Sequence, residues 1–350
     1  KIDVDHLSST LMWFIWSFLY WVKGAMYGIK SIYFLLKNKF YYRDYVYFDD
    51  LTIKNLPVAS KQQNIITWYL QWKGSFQGVR FIAHSVKNIS NYKYQNKKIV
   101  YTDGLPCIRG MKLFFYMILY FYLTFTSLLF IIYRPYGAFF LMDNLKLMRA
   151  KLATKEQLAT EYLFHNTTPF YRPLWTYEAQ AKGSKILFYF YSINYMKIGF
   201  NKASSVDIRW SLMSWPHYLA WNKTQSKQIK ELNDDNSVVE NVGVTWFSDS
   251  EEIHLNSKSR FISVFDVSPY RTSRHIYLDD LNRYYTYKMC SKFLTDIQFV
   301  LANNNINMIH KLKRKSLLLD KRFVRRVKLM KSKSNYLEAN PEIEAYRIIN

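Results

Sequence analysis

From Leu113 to Tyr133 the chain runs twenty-one residues without a charge (LFFYMILYFYLTFTSLLFIIY), closed off by Arg109 and Lys112 before it and by Arg134 after it. As a helix this run is roughly 31 Å long, the thickness of a bilayer's hydrocarbon core, so lipid or protein has to hide it. Tyr116, Tyr120, Thr124 and Ser127 recur at steps of four, four and three, a mildly polar stripe along one face. A lone anchor needs no such stripe, whereas a helix packed on protein or lying among headgroups uses one. Five Lys or Arg precede the run within twenty residues and four follow it, so the positive-inside rule assigns no orientation. Three readings stay open: a membrane span, a monotopic helix and a buried core helix. A second apolar stretch, Leu11–Val22, continues past Lys23 and Lys30 to Leu36 and reads as an amphipathic or interfacial helix. Membrane contact is the expectation.

The rest of the chain also has much to bury. Of 350 residues 49% are hydrophobic and 19% aromatic, against only ten Gly and eight Pro. That excludes disorder, collagen-like repeats and low-complexity architecture, and the length suits two domains. Cys107 and Cys290 are too few for a disulfide scaffold or a four-cysteine zinc site. A net charge of +23 asks for an anionic partner: nucleic acid, an anionic membrane surface or phosphorylated ligands. AT-rich codons, which favour Lys, Asn, Ile, Phe and Tyr, account for part of that excess. The aromatics lie mostly in apolar runs rather than interleaved with Lys and Arg, which argues against a nucleic-acid groove. Because the chain starts at Lys1, its beginning reads as cut, and no cleavable leader is identified.

From about residue 155 strands and helices alternate. Tyr162–His165 reads as a strand, Pro173–Lys182 as a helix with Pro at its first position and Gly183 at its stop, and Lys185–Ser192 as a buried strand. Short strands follow at Asp207–Met213 and Tyr218–Trp221, then a polar helix at Asn222–Leu232. The turn residues Asn233–Ser237 make the best boundary in this half. Beyond it come strands at Val238–Trp246 and Phe261–Val267, a long helix over Tyr277–Ala302 and a strand at Ile306–Lys311. Between Leu36 and residue 113 a helix around Gln62–Trp72 and a basic loop at Lys93–Lys98 stand out. Strand–helix–strand order implies parallel sheets covered by helices. The expected class is α/β, with a helical membrane-associating region and part of the first domain in 1–154, one Rossmann-like domain in 155–235 and a second in 236–350.

Ligands of open α/β sheets bind beyond the carboxyl ends of the strands. That rule selects the segments after His165, Tyr191, Val267 and Lys311. His165 beside Asn166 is either a general base or a hydrogen-bonded structural histidine. Glu178 is a candidate base, or simply the partner of Lys182 four residues on. Arg172 before Pro173 stands at a helix mouth, as an anion or sugar-acid site or as a brace for the loop. Asp266 on an apolar strand pairs with Arg271 or Arg274, or serves a ligand. Lys311–Lys333 holds eleven Lys or Arg and one acid, a solvated face, a phosphate site or a contact for acidic headgroups. There is no Gly-rich dinucleotide fingerprint, GxxxxGK[ST] loop, zinc-spaced histidine pair or GxSxG elbow. Asp3-Val4-Asp5 is the only Asp-x-Asp. The expected mechanism therefore uses no metal and no cofactor.

Several strings resemble a known family. They are Tyr162–Asn166 (YLFHN), Tyr171–Ala179 (YRPLWTYEA), Phe188–Asn194 (FYFYSIN), Trp215–Tyr218 (WPHY) with Trp221 and Asn222, Val242–Gly243 with Trp246–Ser250 (WFSDS), Val264–Pro269 (VFDVSP) and Lys311–Arg314 (KLKR). Together they resemble the bacterial surface-polysaccharide biosynthesis proteins named for a PFTS motif, over a little more than half the chain from about Thr160. Two features depart from that pattern. The Pro-Phe-Thr-Ser string is absent, with Asn350 falling about where the family leads into it, so the chain reads as truncated in its second domain. Leu312 stands where a Lys-Pro-Lys-Arg pattern has Pro.

The resemblance implies a glycosyltransferase of the GT-B type. Two Rossmann-like domains would face across a cleft, one holding a glycan or lipid-linked acceptor and the other a nucleotide-sugar donor. On that reading the base is His165 or Glu178, with Arg172 beside it. Asn166, Trp175, Tyr191, Ser192 and Asn194 meet the acceptor, and Asp266, Ser268, Arg271, Lys311, Lys313 and Arg314 face the donor. It implies a metal-independent, inverting enzyme of capsule or O-antigen synthesis at the cytoplasmic face of the inner membrane, with the anionic membrane surface as partner and no nucleic acid. The alternative is a membrane-peripheral scaffold that keeps the architecture without catalysis.

Overall fold

The structure, a computed structural model, describes residues 6–37, 44–57, 64–73, 79–87, 89–133, 135–165, 171–190, 213–233, 237–244, 260–266, 269, 286–312 and 320–339. It divides into two compact units, Lys1–Ser248 and Asp249–Asn350.

The first unit is built on an eight-stranded sheet. Its strands in chain order are β1 (Tyr45–Phe48), β2 (Phe81–His84), β3 (Tyr92–Tyr94), β4 (Lys97–Tyr101), β5 (Glu161–His165), β6 (Lys185–Tyr189), β7 (His217–Ala220) and β8 (Val238–Asn241). Across the sheet they run β3-β4-β2-β1-β5-β6-β7-β8, all parallel except β3 against β4. Every residue of β1 and of β5 is buried, as parallel strands covered on both faces require. Successive residues serve opposite faces. Tyr45, Tyr47, Tyr162 and Phe164 enter one core with Trp175, Ala179 and Ile229, while Val46, Phe48 and Leu163 enter the other with Ile65, Ile66 and Tyr69.

Helices α1 (His6–Lys37), α2 (Ile65–Lys73), α3 (Met111–Tyr133), α4 (Leu141–Leu152), α5 (Trp175–Ala181) and α6 (Lys223–Leu232) complete this unit. Asn222 caps α6 by accepting the Gln225 N–H at 2.9 Å. Antiparallel packing joins α1 to α3. Tyr116 donates to Ser31 at 3.3 Å, Tyr120 to the Ala25 carbonyl at 3.2 Å and the Trp21 indole to the Thr124 carbonyl at 2.9 Å. The polar stripe of α3 thus faces protein. Gly28 permits the close approach, since a Cβ there would lie 2.2 Å from the Tyr120 ring.

Two expectations change here. The segment read as a basic loop, Lys93–Lys98, is the hairpin of β3 and β4, turned by Gln95 and Asn96 at φ 44° and 61°. Two successive left-handed residues suit the right-handed twist of the strands they join. The Asn233–Ser237 turn is not a unit boundary, because β8 after it pairs with β7 before it. Unit one also takes in strands from both the 1–154 and the 155–235 segments. The strand expected at Asp207–Met213 lies outside the described residues up to Leu212, as does the Tyr277–Tyr285 part of the long helix.

The described residues of the second unit form β9 (Phe261–Asp266), α7 (Tyr287–Asn303), β10 (Asn307–Leu312), α8 (Lys321–Met330) and β11 (Tyr336–Glu338). Its strands are parallel in the order β11-β10-β9. Val264, Leu294, Leu301, Met308, Phe323 and Val327 fill its core.

Candidate functional site

The winding of the first sheet reverses between β1 and β5. From β1 the chain works outward through β2 to β4, and it then returns to the opposite edge of β1 as β5 and proceeds to β8. In open α/β sheets the ligand crevice lies at such a reversal, beyond the carboxyl ends of the strands. Asp49 and Asp50 follow β1 there, His165 ends β5 and His84 ends β2.

These residues are held together. The Asp49 N–H donates to the Leu163 carbonyl at 2.9 Å, continuing the β1–β5 ladder one residue past the strand. Its carboxylate accepts the Tyr47 hydroxyl at 3.2 Å. Burial pushes the Asp49 carboxyl above the usual carboxylate range, a shift the Tyr47 hydrogen bond opposes and the Asp50 charge reinforces. Asp50 adopts a left-handed φ of 49°, a conformation Asp tolerates better than most side chains. The turn brings the Asp50 carbonyl 3.1 Å from His165 Nε2, and its exposed carboxylate 3.9 Å from the same nitrogen. A carbonyl only accepts, so in this contact Nε2 is the donor. The imidazole also lies against the Tyr189 ring, with centroids 5.6 Å apart. Across β1, Ser85 accepts the Leu51 N–H at 3.2 Å. Buried His84 accepts the Val86 N–H on Nδ1 at 3.1 Å, and burial lowers its pKa to about 4. The switch point thus brings a carboxylate of raised pKa and an imidazole together at the ends of adjacent strands. That is a combination able to take a proton from a hydroxyl.

The other expected residues of this unit are placed differently. Arg172 is buried along α5, where its guanidinium donates to the Thr176 hydroxyl at 3.0 Å, the Ser214 carbonyl at 3.2 Å and Gln180, and stacks 3.8 Å over Tyr177. It braces that helix against the Ser214 segment. Glu178 pairs with Lys182 at 3.2 Å, and the same ammonium donates at 2.8 Å to the carbonyls of Ala150, Lys151 and Ala153 at the end of α4. Trp175 is a core side chain against Tyr162 and Phe164, with centroids 5.0 and 6.1 Å away. Of this set, then, His165 is the residue that stands in the crevice. Asn166, Tyr191, Ser192 and Asn194 lie outside the described residues.

In the second unit the carboxyl ends of β9 and β10 are drawn together, the Asp320 N–H donating to the Pro269 carbonyl at 3.1 Å. Asp320 caps α8 through the Arg322 N–H at 2.9 Å and pairs with the Arg322 guanidinium at 2.7 Å, which holds its carboxyl below the usual range. Arg322 in turn stacks 3.7 Å over Tyr287 at the start of α7. Lys311 is buried near the end of β10, its ammonium 3.4 Å from the Leu312 carbonyl. Asp266 closes β9 opposite Leu312. Its side chain, with Ser268, Arg271, Lys313 and Arg314, lies outside what is described.

Asp49, Asp50 and His84 were not singled out by sequence. The signal for Asp49 and Asp50 is Tyr45–Asp50 (YVYFDD), an apolar strand-length run ended by two acids, set between long apolar helical segments that dominate the pattern of the first 150 residues.

A family model described as "Polysaccharide biosynthesis PFTS motif protein" matches residues 126–350. No curated protein matches by sequence. Among solved structures, the chain is similar to an α,α-trehalose 6-phosphate synthase from Burkholderia multivorans, with a TM-score of 0.42 at 10% identity over 88% of this chain and 75% of that one.

Proposed function

Since this chain belongs to the polysaccharide biosynthesis PFTS motif family, we propose that it is a glycosyltransferase of the GT-B type. It transfers a sugar from a nucleotide-sugar donor to a growing glycan or a lipid-linked acceptor during synthesis of a cell-surface polysaccharide, capsule or O-antigen. The observation that carries this reading is the crevice at the β1–β5 switch point, where Asp49, Asp50 and His165 converge.

In the proposed reaction an acceptor hydroxyl enters that crevice and gives its proton to Asp49 or to His165. The hydroxyl oxygen bonds to the anomeric carbon as the bond from that carbon to the donor phosphate breaks. The departing nucleotide takes the electron pair onto its phosphate oxygen, where cations and backbone N–H groups stabilise the charge. A single displacement of this kind inverts the anomeric centre and needs no metal. Asp50 positions the imidazole rather than reacting. The enzyme works at the cytoplasmic face of the inner membrane, held to it by α1 and α3.

The test is a thermal-shift screen of the protein with UDP-, GDP-, CMP- and dTDP-sugars. A donor at a hundred times its Kd adds about 2.7 kcal/mol to stability and raises the melting temperature. A shift with one nucleotide class supports the proposal and names the sugars to assay. No shift with any of them favours a non-catalytic scaffold instead.

A further inference from the structure

Over Ser17–Leu35 of α1 and Leu113–Tyr120 of α3, each helix has one buried face and one exposed face. On α1, Ser17, Gly24, Gly28, Ser31 and Leu35 are buried at steps of seven, four, three and four. They meet α3 and α4: Gly24 abuts Leu141, Gly28 abuts Tyr120 and Ser31 bonds Tyr116 and Arg149. The opposite face carries Ile15, Phe18, Val22, Met26, Ile29 and Tyr33 at steps of three or four, each between 36 and 63% exposed. On α3 the face of Leu113, Tyr116 and Tyr120 is buried, and the opposite one exposes Phe114, Ile118, Phe121, Phe125, Leu129 and Ile132 by 48 to 68%.

Among the described residues α3 is the helix long and apolar enough to cross a bilayer, yet its first turns are tied into the core of the first unit. Leu113 and Tyr116 belong to the same core as Tyr45, Tyr162 and Trp175. Standing α3 across a bilayer would drag β1 and β5, with their polar ends, into hydrocarbon. A helix tied to protein on one side and apolar on the other fits a bilayer lying parallel to it. Charge fits as well. Neither helix contains Asp or Glu, and Lys23, Lys30 and Lys37 repeat every seven residues, all exposed, along one flank of the α1 stripe. From there their stems cover apolar surface while the ammonium groups reach anionic headgroups.

We propose that α1 and α3 form a monotopic membrane-binding face, lying in the plane of one leaflet with its acyl region covering both exposed stripes and with Lys23, Lys30 and Lys37 on the headgroups. The proposal refines the membrane contact of the functional reading and does not depend on the transfer chemistry.

The test uses the full chain with sealed vesicles of phosphatidylcholine and phosphatidylglycerol. Nitroxide labels are placed at Phe114→Cys, Phe125→Cys and Ile132→Cys, in a Cys107→Ser, Cys290→Ser background, and their depths are read by power saturation. The outer two positions are roughly 27 Å apart along the helix. An in-plane helix puts all three at one depth, within a few ångströms. A span puts Phe125 roughly 10 Å deeper than its neighbours, which would overturn the proposal. In flotation, Phe121→Glu with Phe125→Glu is expected to cut the bound fraction roughly tenfold while leaving the melting temperature unchanged. Flotation unaffected by that pair, or absent for the parent protein, also overturns it. A nucleotide-sugar thermal shift is read separately, so failure here does not count against the transferase reading.

Discussion

Asp49 is where chemistry and stability pull in opposite directions. Burial raises its carboxyl pKa, so between the unfolded and folded values the native state holds the proton more tightly than the unfolded chain does. Stability therefore falls as pH rises through that window, and above it the buried charge is a fixed cost. Asp49→Asn is expected to melt higher than the parent at pH 7 and close to it below about pH 4, while turnover drops at least roughly 100-fold. Melting curves at the two pH values, with initial rates, check both parts. His84 behaves oppositely. With its folded pKa lowered to about 4 against roughly 6.5 in the unfolded chain, the unfolded state takes up protons first as pH falls. The native state thus loses on the order of 2–3 kcal/mol between those values. His84→Asn, which keeps an acceptor for the Val86 N–H, should flatten that part of the pH–stability curve. A curve as steep as the parent's would assign the acid loss to another group.

Arg149 ties three elements together. From α4 it donates to the Pro106 carbonyl at 2.7 Å, the Leu105 carbonyl at 3.2 Å, Ser31 of α1 at 3.3 Å and the Asp103 carboxylate just beyond β4. Arg149→Leu strands that carboxylate and several carbonyls in the interior and is expected to cost about 3–5 kcal/mol by denaturant titration. Gly28→Ala should loosen α1 from α3 by pressing on the Tyr120 ring, a loss of about 1–3 kcal/mol in the same experiment. Elements like β5, β6, β9 and β10 were legible in the sequence because each is an apolar run of strand length bounded by turn residues. By contrast β3 and β4 carry no such signal, for lysines interrupt their YKY and KKIVY runs. In β4 two lysines begin the strand, and Lys97 is held by the Val79 carbonyl at 2.7 Å rather than being free in a loop. Tertiary pairing, not local pattern, makes these segments strands. Site residues followed the same division. His165 at a legible strand end was found, whereas Asp49 and Asp50 after an unread strand were not. Local helix position suggested an anion site for Arg172 and a base for Glu178. Their partners Ser214 and Gln180, and the carbonyls beneath Lys182, could not be inferred from spacing.

At the scale of the molecule, a +23 chain carries its exposed apolar stripes on α1 and α3 beside exposed lysines. Binding to vesicles with phosphatidylglycerol should therefore weaken steeply with salt, while any residual binding to pure phosphatidylcholine should be insensitive to it. Salt-independent flotation on both lipids would remove the electrostatic part of this picture. The α/β class followed from strand–helix alternation alone, while the reversal of winding at β1 followed from nothing local, because it is a property of strand order. The central claim is that this reversal makes an acceptor site whose base activates a sugar hydroxyl. The most direct measurement compares nucleotide release and nucleotide-sugar affinity for the parent, Asp49→Asn and His165→Ala. With the donor found by thermal shift, the predicted result is unchanged donor Kd with release slowed roughly 100-fold or more in at least one variant. Equal release rates in all three proteins would contradict it.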